Sequence, residues 1–271
     1  MKKKILWAIP ALGAGYLLAL RGRTGHPGLE ALRGWNYAHR GLHSPGVPEN
    51  SLAAFRAAVD HGYGAELDVH LLKDGGLAVI HDSKLVRTTG KPGRVEDLTV
   101  ADLQYYSLEG TAETIPTLQQ VLEVFDGKTP LIIELKAELN NHAALCEAAC
   151  KAMEGYKGVW CMESFDPRVV HWLKKHRPDI IRGQLAENSL KYPQNKLPLP
   201  LKVVLSNHLE NFLGKPDFVA YDFPTRKTLS NTICRKFHKI QGVSWTLRSP
   251  EDHKTAVEEG WIPIFENYLP E

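Results

Sequence analysis

The feature that most constrains the fold of this chain is an alternation of short β-type runs with amphipathic helical runs between Trp35 and Glu271. Such repeats build parallel strands joined by right-handed helical crossovers. β-type runs are predicted at Tyr37–Arg40, Ala65–Leu71, Leu77–Asp82, Leu131–Lys136, Val159–Phe165, Ile180–Leu185, Phe218–Tyr221, Val243–Leu247 and Ile262–Phe265. About eight such strands close into a barrel more readily than they form an open sheet, which stays the alternative. The sequence therefore predicts an α/β fold, a (β/α)8 TIM barrel.

A polar stretch, Ser83–Thr114, interrupts the alternation after the second strand and is predicted to be a small insertion. Within it, Thr99 and Asp102 have the spacing of a capping box that begins a short helix. The chain has 271 residues, 43% of them hydrophobic and 24% charged, which is typical of a folded globular chain. We predict an anchor or uncleaved signal at residues 1–24, a linker at residues 25–34 and the barrel at residues 35–271, with its insertion at about residues 83–114.

The N-terminal segment differs in composition from the rest of the chain. Three lysines, Lys2 to Lys4, precede an uncharged run, Ile5–Leu20, which Arg21 and Arg23 follow. A helix of about 16 residues is about 24 Å long, slightly short of a hydrocarbon core of about 30 Å. We interpret the run as a single-pass membrane anchor, with a cleaved signal peptide and a buried or surface helix as alternatives. The flanking charges are nearly balanced, and an extracytoplasmic barrel is slightly favoured.

The charge and cysteine patterns exclude some classes of function. The net charge is +2, and the basic residues form no stripe beyond the N-terminus, so nucleic acid is not expected as a partner. The four cysteines have no metal-ligand or CxxC spacing and are predicted to be free thiols: Cys146, Cys150, Cys161 and Cys234.

Acidic residues interrupt two of the predicted strands. Because side chains alternate along a strand, Glu66 and Asp68 share one face. On another strand, Glu134 and Lys136 also share a face that is otherwise apolar. The three carboxylates are expected to converge and to suit one divalent cation, Mg²⁺ or Ca²⁺. The alternative is a buried salt-bridge network that includes Lys136 and holds no metal.

Two histidines, His39 and His81, end predicted strands, where barrel enzymes place their catalytic residues. Beside a metal site, such a pair can supply the proton donor and acceptor that phosphoryl transfer requires. The neighbouring Arg40 has the planar fork that suits phosphate oxygens. Each of these residues has a structural alternative, a satisfied histidine or a salt bridge at the rim.

Short motifs in order along the chain resemble the glycerophosphodiester phosphodiesterase family. They are His39-Arg40-Gly41, Pro48-Glu49-Asn50-Ser51, Glu66-Leu67-Asp68-Val69, Asp74-Gly75, His81-Asp82, Leu98-Thr99, Ile115-Pro116-Thr117-Leu118, Ile133-Glu134-Leu135-Lys136, Ser164-Phe165 and Trp245-Thr246. Each motif alone is weakly specific, but their order and spacing together are strongly specific.

The resemblance implies a (β/α)8 barrel enzyme that hydrolyses a glycerophosphodiester to sn-glycerol 3-phosphate and an alcohol. It also implies a role for each matching residue: Glu66, Asp68 and Glu134 hold a divalent cation, His39 and His81 act as acid and base, Arg40 and Lys136 engage the phosphate, and Glu49, Asn50 and Trp245 support the site.

Near the C-terminus the chain departs from the family pattern, because it reads Ile264-Phe265-Glu266-Asn267 where the family often has an aspartate and a last helix. The segment Gly25–Gly34 is then expected to cover that flank of the barrel. Two other functions stay open, a lysophospholipase D that acts on membrane lysophospholipids and a non-catalytic barrel that binds glycerophosphodiesters. Phe165, Tyr221 and Trp245 either stack on a choline-type cation or pack at the rim.

Overall fold

The computed structural model describes residues 12–192 and 196–270, and within these ranges nine strands form a single sheet. The strands are β1 (Tyr37–His39), β2 (Gly64–Leu71), β3 (Leu77–Val79), β4 (Leu131–Leu135), β5 (Trp160–Ser164), β6 (Arg182–Ala186), β7 (Phe218–Asp222), β8 (Gln241–Leu247) and β9 (Trp261–Phe265). Eight of them are parallel, and the pairing of β1 with both β2 and β9 closes the barrel. The remaining strand, β3, folds back antiparallel to β2 outside the barrel. The predicted TIM barrel is confirmed.

Helices surround the barrel and connect its strands. The α-helices that follow β1 in the described residues are Leu52–Asp60, Val86–Thr89, Leu118–Phe125, His142–Ala152, Pro167–His176, Leu199–Ser206, Asn211–Gly214, Leu229–Thr232 and Pro250–Glu258. Shorter 3₁₀ segments are Pro27–Leu32, Val95–Asp97, Val100–Tyr105 and Phe223–Thr225, and Ile233–Phe237 is a π-helix. Side-chain caps begin several helices, as where the Ser51 hydroxyl accepts a hydrogen bond from the Ala54 N–H at 3.1 Å.

Two apolar clusters stabilise the barrel. The larger one lies between the sheet and the helices, and the other fills the barrel interior with residues such as Ile132, Cys161 and Phe218. The segment expected to be a linker contributes to the interior cluster, because Leu29 and Leu32 of the 3₁₀ segment Pro27–Leu32 are buried against it. Most of this cluster comes from the first halves of the strands, and Leu185 and Ile264 extend it toward their carboxyl ends. Barrel enzymes place their sites at that carboxyl end.

The N-terminal segment packs on the outside of the barrel. Residues 12–19 are helical, and Leu20 is fully buried against Val219, Cys234 and Ile240. Arg23 donates two hydrogen bonds to the Asp217 carboxylate, each 2.5 Å long.

The predicted single-pass anchor and the localisation that rests on it are therefore wrong, and no feature of the described residues supports the membrane as a partner. Across residues 12–192 and 196–270, every helix is too short or too polar to cross a membrane. The first part of the predicted anchor, residues 5–11, lies outside the described residues. In the described part of the run, Leu20 is fully buried against the barrel, whereas Leu12 and Leu18 are 73% and 61% exposed. The run thus ends in a contact with the barrel, which its hydrophobicity alone did not indicate.

The predicted insertion, Ser83–Thr114, packs on the β3 region through a small apolar cluster in which Leu85, Val95 and Leu103 join Ala78 and Ile80. The capping box of Thr99 and Asp102 is confirmed at the start of Val100–Tyr105. All four cysteines are buried free thiols, as predicted.

Candidate active site

Three carboxylates from neighbouring strands meet inside the open end of the barrel. Glu66 and Asp68 lie on β2, Glu134 lies on β4, and the register places Asp68 beside Glu134. All three side chains are buried. One oxygen from each lies within 4.8 Å of the others. The convergence that the strand pattern predicted is present.

Two cations compensate part of this negative charge. The Lys136 ammonium lies 2.9 Å from Asp68 Oδ1 and 2.7 Å from Glu134 Oε2, and Arg40 Nε lies 3.6 Å from Asp68 Oδ2. Burial alone would raise the pKa of Asp68, but the charges of Lys136 and Arg40 help to hold it well below its usual range. Burial and the neighbouring carboxylates instead raise the pKa of Glu66 well above its usual range.

A salt-bridge network without a metal accounts for only part of this cluster. Lys136 pairs with Asp68 and Glu134. Glu66, in the described part of the chain, accepts the Arg40 backbone N–H at 3.2 Å and lies 3.9 Å from His39 Nε2. A buried carboxylate without a full cationic partner is costly. Oxygen donors at this spacing fit Mg²⁺ or Ca²⁺, both of which prefer carboxylates.

His39 is the last residue of β1 in the barrel wall, and a carboxylate fixes the orientation of its ring. Its Nδ1 lies 2.6 Å from Glu266 Oε2, just beyond β9. Burial lowers the pKa of His39 to about 4, although the contact with Glu266 acts in the opposite direction. The imidazole is therefore neutral at pH 7, with Nδ1 donating to Glu266 and Nε2 available as a proton acceptor.

His81 follows β3 and is held in a similar way. Its Nδ1 lies 2.6 Å from Asp82 Oδ1, and Arg87 of the insertion contacts the other oxygen of Asp82. The hydrogen bond from His81 and the contact with Arg87 hold the pKa of Asp82 well below its usual range. The His81 side chain is 31% exposed, against 12% for His39. The two histidines thus differ in their access to solvent.

Backbone geometry places the phosphate-binding candidate Arg40. Arg40 and Asn50 both have a left-handed backbone with φ of 55°, a conformation that costs a non-glycine residue about 1 kcal/mol. The Asn50 N–H donates to the Arg40 carbonyl at 2.8 Å, and the Asn50 amide donates to Asp68 Oδ2 at 2.8 Å. Glu49 accepts hydrogen bonds from Arg40 at 3.0 Å and from Arg87 at 2.6 Å. The buried Arg40 Nε has no hydrogen-bond partner among the described residues.

Six of the residues predicted for the site line a cavity of about 50 Å³ at the barrel mouth: His39, Arg40, Glu66, His81, Glu134 and Lys136. Its apolar wall includes Phe165 and Trp245, whose rings meet edge to face with centroids 5.6 Å apart. Tyr221 does not reach the cavity, because it is fully buried and donates its hydroxyl to the Ser206 carbonyl at 2.9 Å. A second, more apolar cavity of about 530 Å³ adjoins the first at Glu134, Lys136 and Phe165.

Comparison with known proteins identifies the family. A model of the Glycerophosphoryl diester phosphodiesterase family matches residues 39–269. The chain belongs to this family. The resemblance drawn from the short motifs is confirmed, and the chain is an enzyme of the glycerophosphodiester phosphodiesterase type, which hydrolyses glycerophosphodiesters.

Two curated relatives illustrate the range of the family. A glycerophosphodiester phosphodiesterase from Caldanaerobacter subterraneus subsp. tengcongensis is 36% identical over 166 residues, which cover 58% of this chain and 68% of that protein. Lysophospholipase D GDPD1 from Rattus norvegicus is 35% identical over 268 residues, covering 85% of this chain and 82% of that protein.

Solved structures share the fold of this phosphodiesterase. A phosphodiesterase from Oleispira antarctica, in complex with the product sn-glycerol-3-phosphate, has a TM-score of 0.72 at 21% identity and covers 90% of this chain and 95% of that one. A glycerophosphodiester phosphodiesterase from Thermotoga maritima has a TM-score of 0.65 at 25% identity, covering 85% and 93%.

Sequence reasoning missed residues that orient or adjoin the phosphodiesterase site. Glu266 was noted only as a departure from the family pattern, yet its carboxylate fixes His39. Arg87 lies in the insertion and joins Glu49 to Asp82. Glu163 of β5 lines the cavity at the mouth. The available signal was an acidic residue within or just after an apolar strand, which Glu163 and Glu266 share with the predicted carboxylates.

Proposed function

We propose that this enzyme hydrolyses glycerophosphodiesters to sn-glycerol 3-phosphate and an alcohol, with a divalent cation at Glu66, Asp68 and Glu134 and with His39 and His81 as the acid-base pair. One observation carries the proposal. Two histidines, each fixed at Nδ1 by a carboxylate, line the same cavity as a buried carboxylate cluster. A barrel that only bound its ligand would have no use for that acid-base pair.

The cation-binding part of the proposal rests on the carboxylate cluster. When bound, Mg²⁺ or Ca²⁺ would offset the negative charge of the phosphate and of the carboxylates around it. Arg40, whose Nε has no hydrogen-bond partner in the described part of the chain, is proposed to donate to a phosphate oxygen. Lys136 is proposed to supply a second positive charge. Glu49 and Asn50 keep Arg40 and Asp68 in place.

The two histidines divide the proton transfers. His39 is neutral at pH 7 and is proposed to accept the proton of the nucleophile at Nε2, while Glu266 stabilises the imidazolium that forms. His81, more exposed and paired with Asp82, is proposed to protonate the departing alcohol. The roles reverse when water completes the reaction.

The nucleophile is proposed to be the 2-hydroxyl of the substrate's own glycerol group. No serine or cysteine has a triad spacing with either histidine in the sequence. Attack by the 2-hydroxyl oxygen forms a P–O bond in a five-membered cyclic phosphate as the bond to the alcohol breaks. Such intramolecular attack has a large proximity advantage. Water then opens the ring and yields sn-glycerol 3-phosphate.

The function is tested by following glycerol 3-phosphate release from sn-glycero-3-phosphocholine and from its 2-deoxy analogue. The first substrate should be cleaved, whereas the analogue should bind as a competitive inhibitor and resist cleavage. Comparable turnover of the analogue would refute the cyclic route and indicate direct attack by water. Binding of both compounds without any turnover would support the non-catalytic alternative.

A second candidate function is the hydrolysis of lysophospholipids, and the apolar cavity of about 530 Å³ favours it. Leu201 and Leu205 of the helix Leu199–Ser206 line this cavity together with Phe165. A cavity of this size and character suits an alkyl chain. Leu201→Glu should then lower turnover of lysophosphatidylcholine but not of sn-glycero-3-phosphocholine, and Leu229→Glu, at a position outside this cavity and 69% exposed, is the control. Equal effects of Leu201→Glu on both substrates would exclude this role.

A further inference from the structure

Glu163 lies in the middle of β5, and the mechanism proposed above does not use it. The register places it between Glu134 on β4 and Gly183 on β6. The side chain lines the cavity at the mouth, and the residue is 1% exposed. Neither carboxyl oxygen has a hydrogen-bond partner among the described residues. Leaving a buried polar group without a partner is costly, so a ligand that hydrogen-bonds to it is favoured.

The surrounding charges do not explain this residue. Lys136 directs its ammonium at Asp68 and Glu134, at 2.9 and 2.7 Å. The group of carboxylates spaced for a cation comprises Glu66, Asp68 and Glu134, without Glu163. Burial and the nearby charge of Glu134 raise the pKa of Glu163 well above its usual range. Within residues 12–192 and 196–270, Glu163 thus forms no ion pair with a lysine and is not one of the three carboxylates spaced for a cation.

A second unsatisfied group belongs to the same cavity. The indole N–H of Trp245 is buried and has no hydrogen-bond partner in the described part of the chain. The Trp245 ring contacts Phe165, two residues after Glu163. Within the described ranges, the residues that line the cavity of about 50 Å³ thus carry two unused donors, Arg40 Nε and the Trp245 indole N–H, and one carboxyl group without a partner, that of Glu163. Because Arg40 is proposed to donate to the phosphate, the indole and the carboxyl remain as a pair, with Leu185 and Ile264 in the apolar wall. An alcohol hydroxyl both donates and accepts, and it complements this pair whether or not Glu163 is ionised.

We propose that the Glu163 carboxyl and the Trp245 indole N–H together bind the free terminal hydroxyl of the substrate's glycerol group, so that the enzyme selects diesters of unsubstituted glycerol. The 2-hydroxyl stays free to attack, Arg40 faces the phosphate, and the small cavity encloses the glycerol end. An acyl group on the terminal carbon removes this hydroxyl, so a 1-acyl lysolipid, the substrate of the second candidate function, would be cleaved without this contact and with a lower kcat/KM than a diester of unsubstituted glycerol. This inference rests on the proposed hydrolysis of glycerophosphodiesters.

The test compares two substrates, sn-glycero-3-phosphocholine and its 1-deoxy analogue, which keeps the 2-hydroxyl and lacks the terminal hydroxyl. The wild-type enzyme should prefer the first by about 10- to 100-fold in kcat/KM, the value of one well-buried hydrogen-bonded group. Glu163→Leu should abolish this preference by lowering kcat/KM for the glycerol diester alone. Trp245→Phe should reduce the preference, whereas Glu163→Gln, which keeps an acceptor of the same shape, should retain most of it.

Met162→Leu is the matched control, because Met162 neighbours Glu163 on β5 but packs toward the helices. It should leave the preference unchanged. Equal losses on both substrates in Glu163→Leu would show a merely structural role and overturn the inference. A wild-type enzyme that cleaves both substrates equally would also overturn it and leave the proposed function intact. Absence of wild-type turnover on either substrate would instead overturn the proposed function. If Glu163→Leu does not fold, the contrast between Trp245→Phe and Glu163→Gln decides.

Discussion

The buried Glu210 should make the free energy of unfolding depend on pH by an amount that its surroundings determine. The residue is 3% exposed, and neither carboxyl oxygen has a hydrogen-bond partner among the described residues. Burial raises its pKa from 4.5 to about 8. The native protein therefore keeps the Glu210 proton at pH values where the unfolded chain has lost it. Stability from this group is complete below pH 4.5 and falls as the pH rises toward 8.

Glu210→Gln replaces the protonated carboxyl with a neutral amide of the same shape. Because each pH unit between the two pKa values costs the native carboxyl about 1.4 kcal/mol, the variant should gain on wild type by that amount per unit. The difference in the free energy of unfolding between the variant and the wild type should reach about 4 kcal/mol near pH 8. Urea unfolding followed by circular dichroism at several values between pH 5 and pH 8 measures it.

Glu147→Gln is the control, since Glu147 is exposed on the helix His142–Ala152. Its stability difference from wild type should not change with pH. A Glu210→Gln difference that is constant across the range, or that shrinks as the pH rises, would refute the reasoning. Either result would mean that Glu210 is solvated or paired in the native state.

Three further predictions follow from the site and the N-terminal packing. Chelation should abolish turnover, and added Mg²⁺ or Ca²⁺ should restore it, because Glu66 and its neighbouring carboxylates would otherwise face an anionic phosphate. Full activity in excess chelator would remove the cation from the mechanism. His39→Ala and His81→Ala should each lower kcat by about 100-fold or more with the unfolding transition unchanged, since each removes a proton transfer; unfolding of either variant would favour a structural role. Leu20→Ala should lower the free energy of unfolding by about 2–5 kcal/mol because Leu20 is fully buried; an unchanged urea midpoint would show that this segment is detached in solution.

Local sequence patterns predicted those parts of the site that depend on one strand or one turn. Glu66 and Asp68 alternate with apolar residues, so their shared face and their barrel location followed from strand geometry. The capping box at Thr99 followed in the same way. The contact between His39 and Glu266 joins residues 227 positions apart, and strand order alone does not specify such a pair.

Two features were missed for other physical reasons. The helix Leu199–Ser206 was not predicted, because Pro198 and Pro200 bracket its start and several of its leucines and valines are exposed, so the run lacks a clear one-face period. The N-terminal apolar run was interpreted as a membrane anchor, because hydrophobicity alone does not distinguish burial in lipid from burial in protein. Leu20 is buried by Val219 and Ile240, which are distant in sequence, so its burial could not be predicted from the local pattern.

Because β3 lies outside the closed barrel, the two histidines of the proposed acid-base pair lie on parts of the sheet that are paired differently. His39 extends from β1, which the barrel fixes on both sides through β2 and β9. His81 instead ends a hairpin arm that pairs with β2 alone among the named strands. On its other side the arm is held by the segment after the insertion, since the Val79 N–H donates to the Pro116 carbonyl at 2.8 Å. Substitutions in the hairpin that carries His81 can therefore be made without changing the strand pairing of the closed barrel that carries His39.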